Sequence, residues 1–238
     1  MEGYKRGVWA GARVAATCLG VFLAGGAAFG GIMTDSFDRP DSSYMGPDWT
    51  EQFSNFRIEG SQARTEPGDT DLSAALMTVT GFEAADPIVQ VTARYDGASR
   101  PTYVALVSRY LDDDNCIFVK IQDNNVDGLY DVAMFYRGNN SLSGLVPAWW
   151  EYLTPFTEAR IETAVSGDTL VLSIDRNFDG TPETVVTRTG LPTGLGLGVG
   201  LGGYNDASMD DFFALPEPAT LGLLALGGLG FLLRRRPR

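Results

Sequence analysis

Two acidic segments of this chain repeat one pattern. Asp123-Asn124-Asn125-Val126-Asp127-Gly128 is followed by Asp131, and Asp175-Arg176-Asn177-Phe178-Asp179-Gly180 is followed by Glu183. In each, oxygen-bearing side chains alternate (Asp123, Asn125, Asp127; Asp175, Asn177, Asp179), a glycine comes next, and a further carboxylate stands three residues on. A chain wraps a hard cation such as Ca2+ in this way. Neither segment is an EF-hand, whose bidentate Glu belongs at the twelfth position, where Met134 and Val186 stand. Asn, Asp and Gly are also the favoured residues of tight hairpin turns, and both segments lie between strand-like runs. Calcium loops and plain turns both fit the residues. Asp112, Asp113 and Asp114 read as a solvated turn.

A second candidate is aromatic. Trp149, Trp150 and Tyr152, with Phe156 close by, cluster in a stretch that reads as a loop. Exposed aromatic faces stack on sugar rings; buried ones would instead plug one end of a domain.

The chain has no histidine. That removes Ser-His-Asp and Cys-His nucleophile systems and histidine-based zinc or copper sites. It carries 18 Lys and Arg against 30 Asp and Glu. Seven of the basic and two of the acidic residues lie in the two terminal segments, which leaves the part between them at net −17. Such a surface repels nucleic acid and anionic lipid. It is compatible with cations and with neutral glycans.

The elements that must position these residues are strands. Val89, Val91, Ala93 and Tyr95 alternate with polar residues, a half-buried strand. Residues 102–110 form a richer run, expected to be more central. The same period of two runs through Ile117 to Gln122, Tyr130 to Arg137 and Leu170 to Ile174, and Thr184 to Thr189 is β-branched but for Arg188. In Leu197, Val199 and Leu201 the intervening residues are glycines, as where another backbone or loop lies close. No amphipathic helix longer than two turns stands out. Many short strands between Gly, Asn, Asp and Pro turns predict an all-β antiparallel sandwich.

The opening Asp35-Ser36-Phe37-Asp38-Arg39, with Gly46-Pro47-Asp48-Trp49-Thr50 and Phe56-Arg57-Ile58, resembles the first strands of laminin-G/concanavalin A-like jelly rolls. The closing Gly200-Leu201-Gly202-Gly203-Tyr204 and Met209-Asp210-Asp211-Phe212 resemble their last two. The resemblance covers about residues 34–214. It implies that the first and last strands lie together, which brings Phe37 near Phe212. Glucanases of this fold resemble one another in a Glu-x-Asp-x-x-Glu strand, which supplies a carboxylate pair roughly 5–5.5 Å apart. Glu158-Ala159-Arg160-Ile161-Glu162 lacks the central Asp, so the reading leans against catalysis.

The two ends of the chain fix where it lives. Lys5, Arg6 and Arg13 precede the apolar run Val14 to Ala28, the layout of a signal peptide over residues 1–28, cut near Ala28. Ala15, Ala16 and Thr17 before Cys18 do not resemble a lipobox. Losing that segment leaves Cys116 as the single cysteine, hence no internal disulfide, and its apolar surroundings predict a buried free thiol. At the other end stand Pro216-Glu217-Pro218, an apolar run from Ala219 to Leu233, then Arg234, Arg235 and Arg236. Leu215 to Leu233 would span roughly 28 Å as a helix at about 1.5 Å per residue, close to the ~30 Å hydrocarbon core, with the arginines on the cytoplasmic side. The three-part tail, residues 215–238, resembles the PEP-CTERM sorting signal of Gram-negative bacteria. It implies cleavage near Pro216-Glu217-Pro218 by a membrane protease-transpeptidase, an exosortase.

The sequence therefore predicts one jelly-roll domain between a signal helix and a transmembrane helix. The expectation is an exported protein, anchored in the inner membrane before processing and then at the cell surface or in the matrix. It would bind glycan or another surface component without catalysis, with Ca2+ as the one candidate cofactor. Its processing partners would be signal peptidase and exosortase. A glycoside hydrolase or lyase on the same fold, or a purely structural surface protein, are the rival readings.

Overall fold

A computed structural model describes residues 31–53, 56–65, 75–95, 102–137, 150–192 and 194–216. The expected signal peptide, Trp149, Glu217, Pro218, the apolar tail and Arg234, Arg235 and Arg236 lie outside the described residues. Among the described residues no helix is long and apolar enough to cross a membrane.

The described chain is all β, in two antiparallel sheets. In order along the chain the strands are β1 (Met33–Asp35), β2 (Trp49–Phe53), β3 (Phe56–Ile58), β4 (Ala63–Thr65), β5 (Ala75–Val79) and β6 (Pro87–Arg94). They continue with β7 (Tyr103–Asp112), β8 (Asn115–Gln122), β9 (Tyr130–Arg137), β10 (Trp150–Phe156) and β11 (Glu158–Ser166). The last four are β12 (Thr169–Asp175), β13 (Thr184–Thr189), β14 (Gly198–Tyr204) and β15 (Ser208–Pro216). One sheet runs β13-β12-β11-β6-β15-β4-β3, with β1 beside β15; the other runs β10-β9-β8-β7-β14-β5-β2. The richly apolar β7 is central in the second sheet, as its run of buried residues requires.

One expectation of the sequence reading is corrected. Residues 150–156 form an edge strand, not a loop. Pro155 disguises it, and an edge tolerates proline, because the missing amide need not pair; the register also shifts between Tyr152 and Phe156. Glu158–Ser166, read only for its missing aspartate, is the interior strand β11, paired on both sides. Its Ala159, Ile161, Thr163 and Val165 face the core while Glu158, Arg160 and Glu162 alternate outward.

One apolar cluster fills the space between the sheets, including Phe37, Trp49, Phe135, Tyr130, Ile161 and Phe212. First and last strands do lie together: Asp35 is opposite Phe212 and Met33 opposite Ala214. Phe37 and Phe212 meet on Trp49, at ring-centroid distances of 5.8 and 4.8 Å. The Trp49 indole donates to Asp35 Oδ2 at 2.7 Å, and Arg39 Nη1 donates to Asp35 Oδ1 at 2.7 Å. Burial pushes the Asp35 carboxyl up, but these bonds and the Phe37 amide outweigh it and hold it below the usual range. Cys116 is a buried free thiol. The last strand continues through Leu215 and Pro216, which pair with Ile88 and Pro87.

Candidate functional site

The two acidic segments are hairpin loops, one joining β8 to β9 and the other β12 to β13. They belong to different sheets yet lie at the same end of the sandwich. The Tyr130 hydroxyl at the first donates to Arg94 O at 3.1 Å, where β6 ends beside Glu158 of β11. Asp175, at the root of the second, pairs with Arg160 of the same β11. The loops also share a conformation. Val126 and Phe178 take φ of 62° and 58°, and Gly128 and Gly180 take 89° and 84°, where glycine is at ease. The amides of Asn124 and Arg176 donate to Asp131 and Glu183 at 2.9 and 2.8 Å.

Their carboxylates differ in what is left over. Asp123 is 0% exposed. Its Oδ1 accepts from the amides of Asn125, Val126 and Asp127 at 3.2, 2.7 and 3.3 Å, and its Oδ2 from that of Gly128 at 3.0 Å. Tyr95 also bonds this carboxylate; burial first, then that bond, pushes its phenol up to about 12. Asp123 is thus committed to folding its own loop. Asp127 accepts from Asn125 Nδ2 and the Leu129 amide. In the second loop Asp175 is 5% exposed. Its Oδ2 accepts from the Gly180 amide at 2.9 Å and Arg160 Nη1 at 3.4 Å, while its Oδ1 is buried without a partner. Asp179 is exposed and accepts from the Thr181 amide; Asn177 is exposed. Among the described residues no three of His, Cys, Asp and Glu form a metal-holding group. Asp112–Asp114 make the solvated β7–β8 turn, Asp112 accepting from the Asp114 amide and Asn115 Nδ2.

The outer face of the β10-to-β2 sheet is aromatic. Trp150 and Tyr152 are 47% and 72% exposed, with ring centroids 6.4 Å apart. Between them Glu151 turns the other way and accepts from Arg188 of β13 at 2.9 Å, which fixes the two rings on the outside. The register carries this face across the sheet. One row reads Trp150, Met134, Lys120, Ala105, Gly202 and Leu76; a neighbouring row reads Tyr152, Val132, Gln122, Tyr103 and Tyr204. Tyr103 and Tyr204 stack at 5.5 Å with 15° between planes, and Lys120 Nζ lies 4.0 Å from the Tyr103 centroid. A second apolar cluster of Leu76, Tyr103, Cys116 and Phe118 lines this face, with Tyr136 and Tyr110 against it. The alternating glycines of β14 belong here. A Cβ on Gly202 would stand 2.7 Å from the Phe118 ring, and one on Gly200 2.0 Å from Met77 O. A ring and a backbone therefore occupy the space the missing side chains leave.

Of the residues expected on sequence grounds, the structure places Trp150 and Tyr152 side by side on a solvent-facing strand and leaves Phe156 in the core. Sequence reading missed Tyr103, Lys120, Gln122, Tyr136 and Tyr204 as part of the same surface. The signal was available for Lys120 and Gln122, which alternate with Ile117, Val119 and Ile121 of β8; in β9 it is Ala133 and Phe135 that enter the core, while the apolar parity of that run, Val132, Met134 and Tyr136, faces outward. At the end away from the hairpins, a cleft of about 370 Å3 opens between Arg109, Gly167 and Leu195. Arg109 commits its guanidinium to Ala85 O, Asp86 and Gly167 O at 2.6 Å each, and so ties three connections together.

The description "PEP-CTERM protein-sorting motif" matches residues 214–236. The fold is similar to the carbohydrate-binding module CBM66 from Bacillus subtilis, with TM-score 0.50 and 13% identity over 71% of this chain and 95% of that one. It is similar to part of a xylan β-1,4-xylosidase from Bacillus halodurans C-125, with TM-score 0.50 and 13% identity over 76% of this chain and 38% of that one. At these identities the likeness speaks for the fold alone. No curated protein sequence matches the chain. Residues 214–236 are thus a PEP-CTERM protein-sorting motif, which begins in the last three residues of β15 and follows an all-β domain of two antiparallel sheets that resembles carbohydrate-binding jelly-roll modules.

Proposed function

We propose that this is an exported surface or matrix protein whose β-sandwich binds a glycan, without catalysis, on the outer face of the β10-to-β2 sheet. The observation that carries the reading is the pair Trp150 and Tyr152. Two large aromatic side chains stand in solvent on an ordered edge strand, continuous with the Tyr103–Tyr204 stack. Leaving such surface in water forgoes burial worth about 1.5–3 kcal/mol per large apolar side chain, which suits a surface kept for a ligand. Sugar rings present apolar C–H faces to such platforms, and weak single contacts gain from multivalency on a polymer. The likeness to a carbohydrate-binding module supports the ligand class. The sorting motif implies export and supports handling by an exosortase; within this reading signal peptidase first removes residues 1–28, and the protein is delivered to the envelope of a Gram-negative bacterium. The test is a glycan array with the purified protein and its Trp150→Ala/Tyr152→Ala variant. Binding by the first and none by the second supports the reading; an array blank for both rejects it.

Within this reading Ca2+ belongs to the second hairpin rather than the first. Asp175 Oδ1 is buried and unpartnered, whereas the Asp123 oxygens are filled by backbone amides. A cation held by Asp175, Asn177, Asp179 and Glu183 would satisfy the orphaned oxygen.

A further inference from the structure

Among the described residues the middle of the proposed glycan face carries one charge, a cation; at its rim Asp113 accepts from the Tyr110 hydroxyl at 2.9 Å. Lys120 stands in the middle of β8, opposite Ala105 on one side and Met134 on the other. At the paired outer-face positions of β5, β7, β8, β9, β10 and β14 no other side chain is charged. The lysine is half-buried, its Nζ over the Tyr103 ring at 4.0 Å. Among the described residues no carboxylate stands in ion-pair reach of it, and burial alone lowers its ammonium to about 8. A desolvated ammonium without a counter-ion costs stability. Its neighbours in the row, Met134 and Ala105, show that this position could be filled by an apolar side chain at no such cost. The Tyr103 quadrupole offsets part of the penalty. A ligand carboxylate would offset the rest.

Position agrees with this. Lys120 lies two strands from Trp150 and two strands from the β14 residue Gly202 beside Tyr204, about 10 Å either way at the usual strand spacing. A polymer lying across the strands, its rings on Trp150 and Tyr204, would pass over the ammonium midway. The net −17 of the domain does not forbid an acidic ligand here. Charges elsewhere on the surface are screened within about 8 Å at physiological salt, and the acidic hairpins lie at the end of the sandwich, off this row.

We infer that the polymer bound on this face is acidic, a uronic-acid polysaccharide whose carboxylate pairs with Lys120 while its rings lie on Trp150, Tyr152 and Tyr204. The inference rests on the glycan reading above and can fail separately from it. The experiment is affinity electrophoresis of the purified protein through gels containing polygalacturonate or carboxyl-reduced polygalacturonate, with Lys120→Met, Lys120→Gln and Trp150→Ala/Tyr152→Ala alongside. The expected result is at least tenfold tighter retention by the acidic polymer. Both lysine variants should lose that preference while melting no lower than the parent. Equal retention by the two polymers, or an undiminished preference in the lysine variants, overturns the acidic ligand. The glycan reading then stands if the aromatic double variant still abolishes retention. No retention of the parent by either polymer overturns the acidic ligand, and the glycan array alone then decides the glycan reading.

Discussion

Asp123 and Asp175 hold the same post in two hairpins of opposite sheets. Each carboxylate accepts the amide of the glycine five residues on, Gly128 at 3.0 Å and Gly180 at 2.9 Å. What differs is the second oxygen: Asp123 gives it to three further amides, whereas Asp175 leaves it buried and alone. The same sequence pattern has produced a closed knot in one loop and an open ligand in the other.

Calcium should therefore act through the second loop. Added Ca2+ should stabilise the protein by mass action, about 2.7 kcal/mol at a hundredfold excess over the dissociation constant. Asp175→Asn should remove most of that gain, and Asp127→Ala little of it. Calorimetric melting in Ca2+ and in chelator is the check, and a melting temperature indifferent to both returns the two loops to plain turns.

Without metal the two loops should respond oppositely to truncation. Asp123→Ala removes the acceptor of the Asn125, Val126 and Gly128 amides, while the Asp127 amide keeps Asn125 Oδ1, and should cost about 3 kcal/mol. Asp179→Ala loses a single exposed bond to the Thr181 amide and should stay within about 0.5 kcal/mol. Urea titration of both variants in chelator decides it; equal losses would contradict the assignment of Asp123 as the loop's organiser.

Trp150→Ala and Tyr152→Ala should each leave the melting temperature nearly unchanged, within about 0.5 kcal/mol, because both rings already stand in solvent. Retention on a polysaccharide gel should fall. A collapse of the fold on either substitution would make these rings structural.

Lys120 should leave a mark on stability as a function of pH. Its folded-state value, about 8, lies below the ordinary 10.5, so above pH 8 the unfolded chain holds this proton more tightly than the folded one. Below pH 8 the folded protein bears the whole cost of the buried charge. As pH rises from about 8 to about 10.5 that cost is relieved, and the native protein gains on Lys120→Met. At pH 7 the variant should be the more stable of the two, by on the order of 1–3 kcal/mol. Tyr103, Tyr136, Tyr204 and Cys116 share this face in both proteins, so the difference between the two pH profiles isolates the lysine. A flat difference from pH 7 to 10.5 would mean that the ammonium is solvated.

Replacing Pro216, Glu217 and Pro218 with alanine should leave uncut protein in the membrane of a host that has the sorting machinery. The sandwich should melt as before. Pro216 closes β15, its partner Pro87 opens β6, and neither has an amide to lose. Normal release of the variant would contradict a sorting role for these residues.

The strand order could not be read from the chain, but most strands could. Ile117–Gln122 and Leu170–Ile174 fall where the period of two places them, because a sheet with one face in the core stamps that period on its residues. Of the strands that escaped, β4 is three residues long, β5 is mostly apolar on both parities and β10 is diluted by Pro155 and a register shift, whereas β11 alternates cleanly and was legible but passed over. The tail, Pro216 through Arg236, was legible for a different reason: a sorting signal is read as linear sequence, so its composition and order carry its meaning. The hairpin residues were legible as a motif, yet only the folded loops show that Asp123 spends its oxygens on amides and Asp175 does not. The aromatic face is the strongest case. Tyr103, Lys120, Trp150 and Tyr204 come from four strands scattered over a hundred residues, and nothing in local periodicity says which strands are neighbours. Hydrogen bonding between β10, β9, β8, β7 and β14 puts them in adjacent rows. That pairing, a property of the closed sandwich, turns four separate residues into one surface.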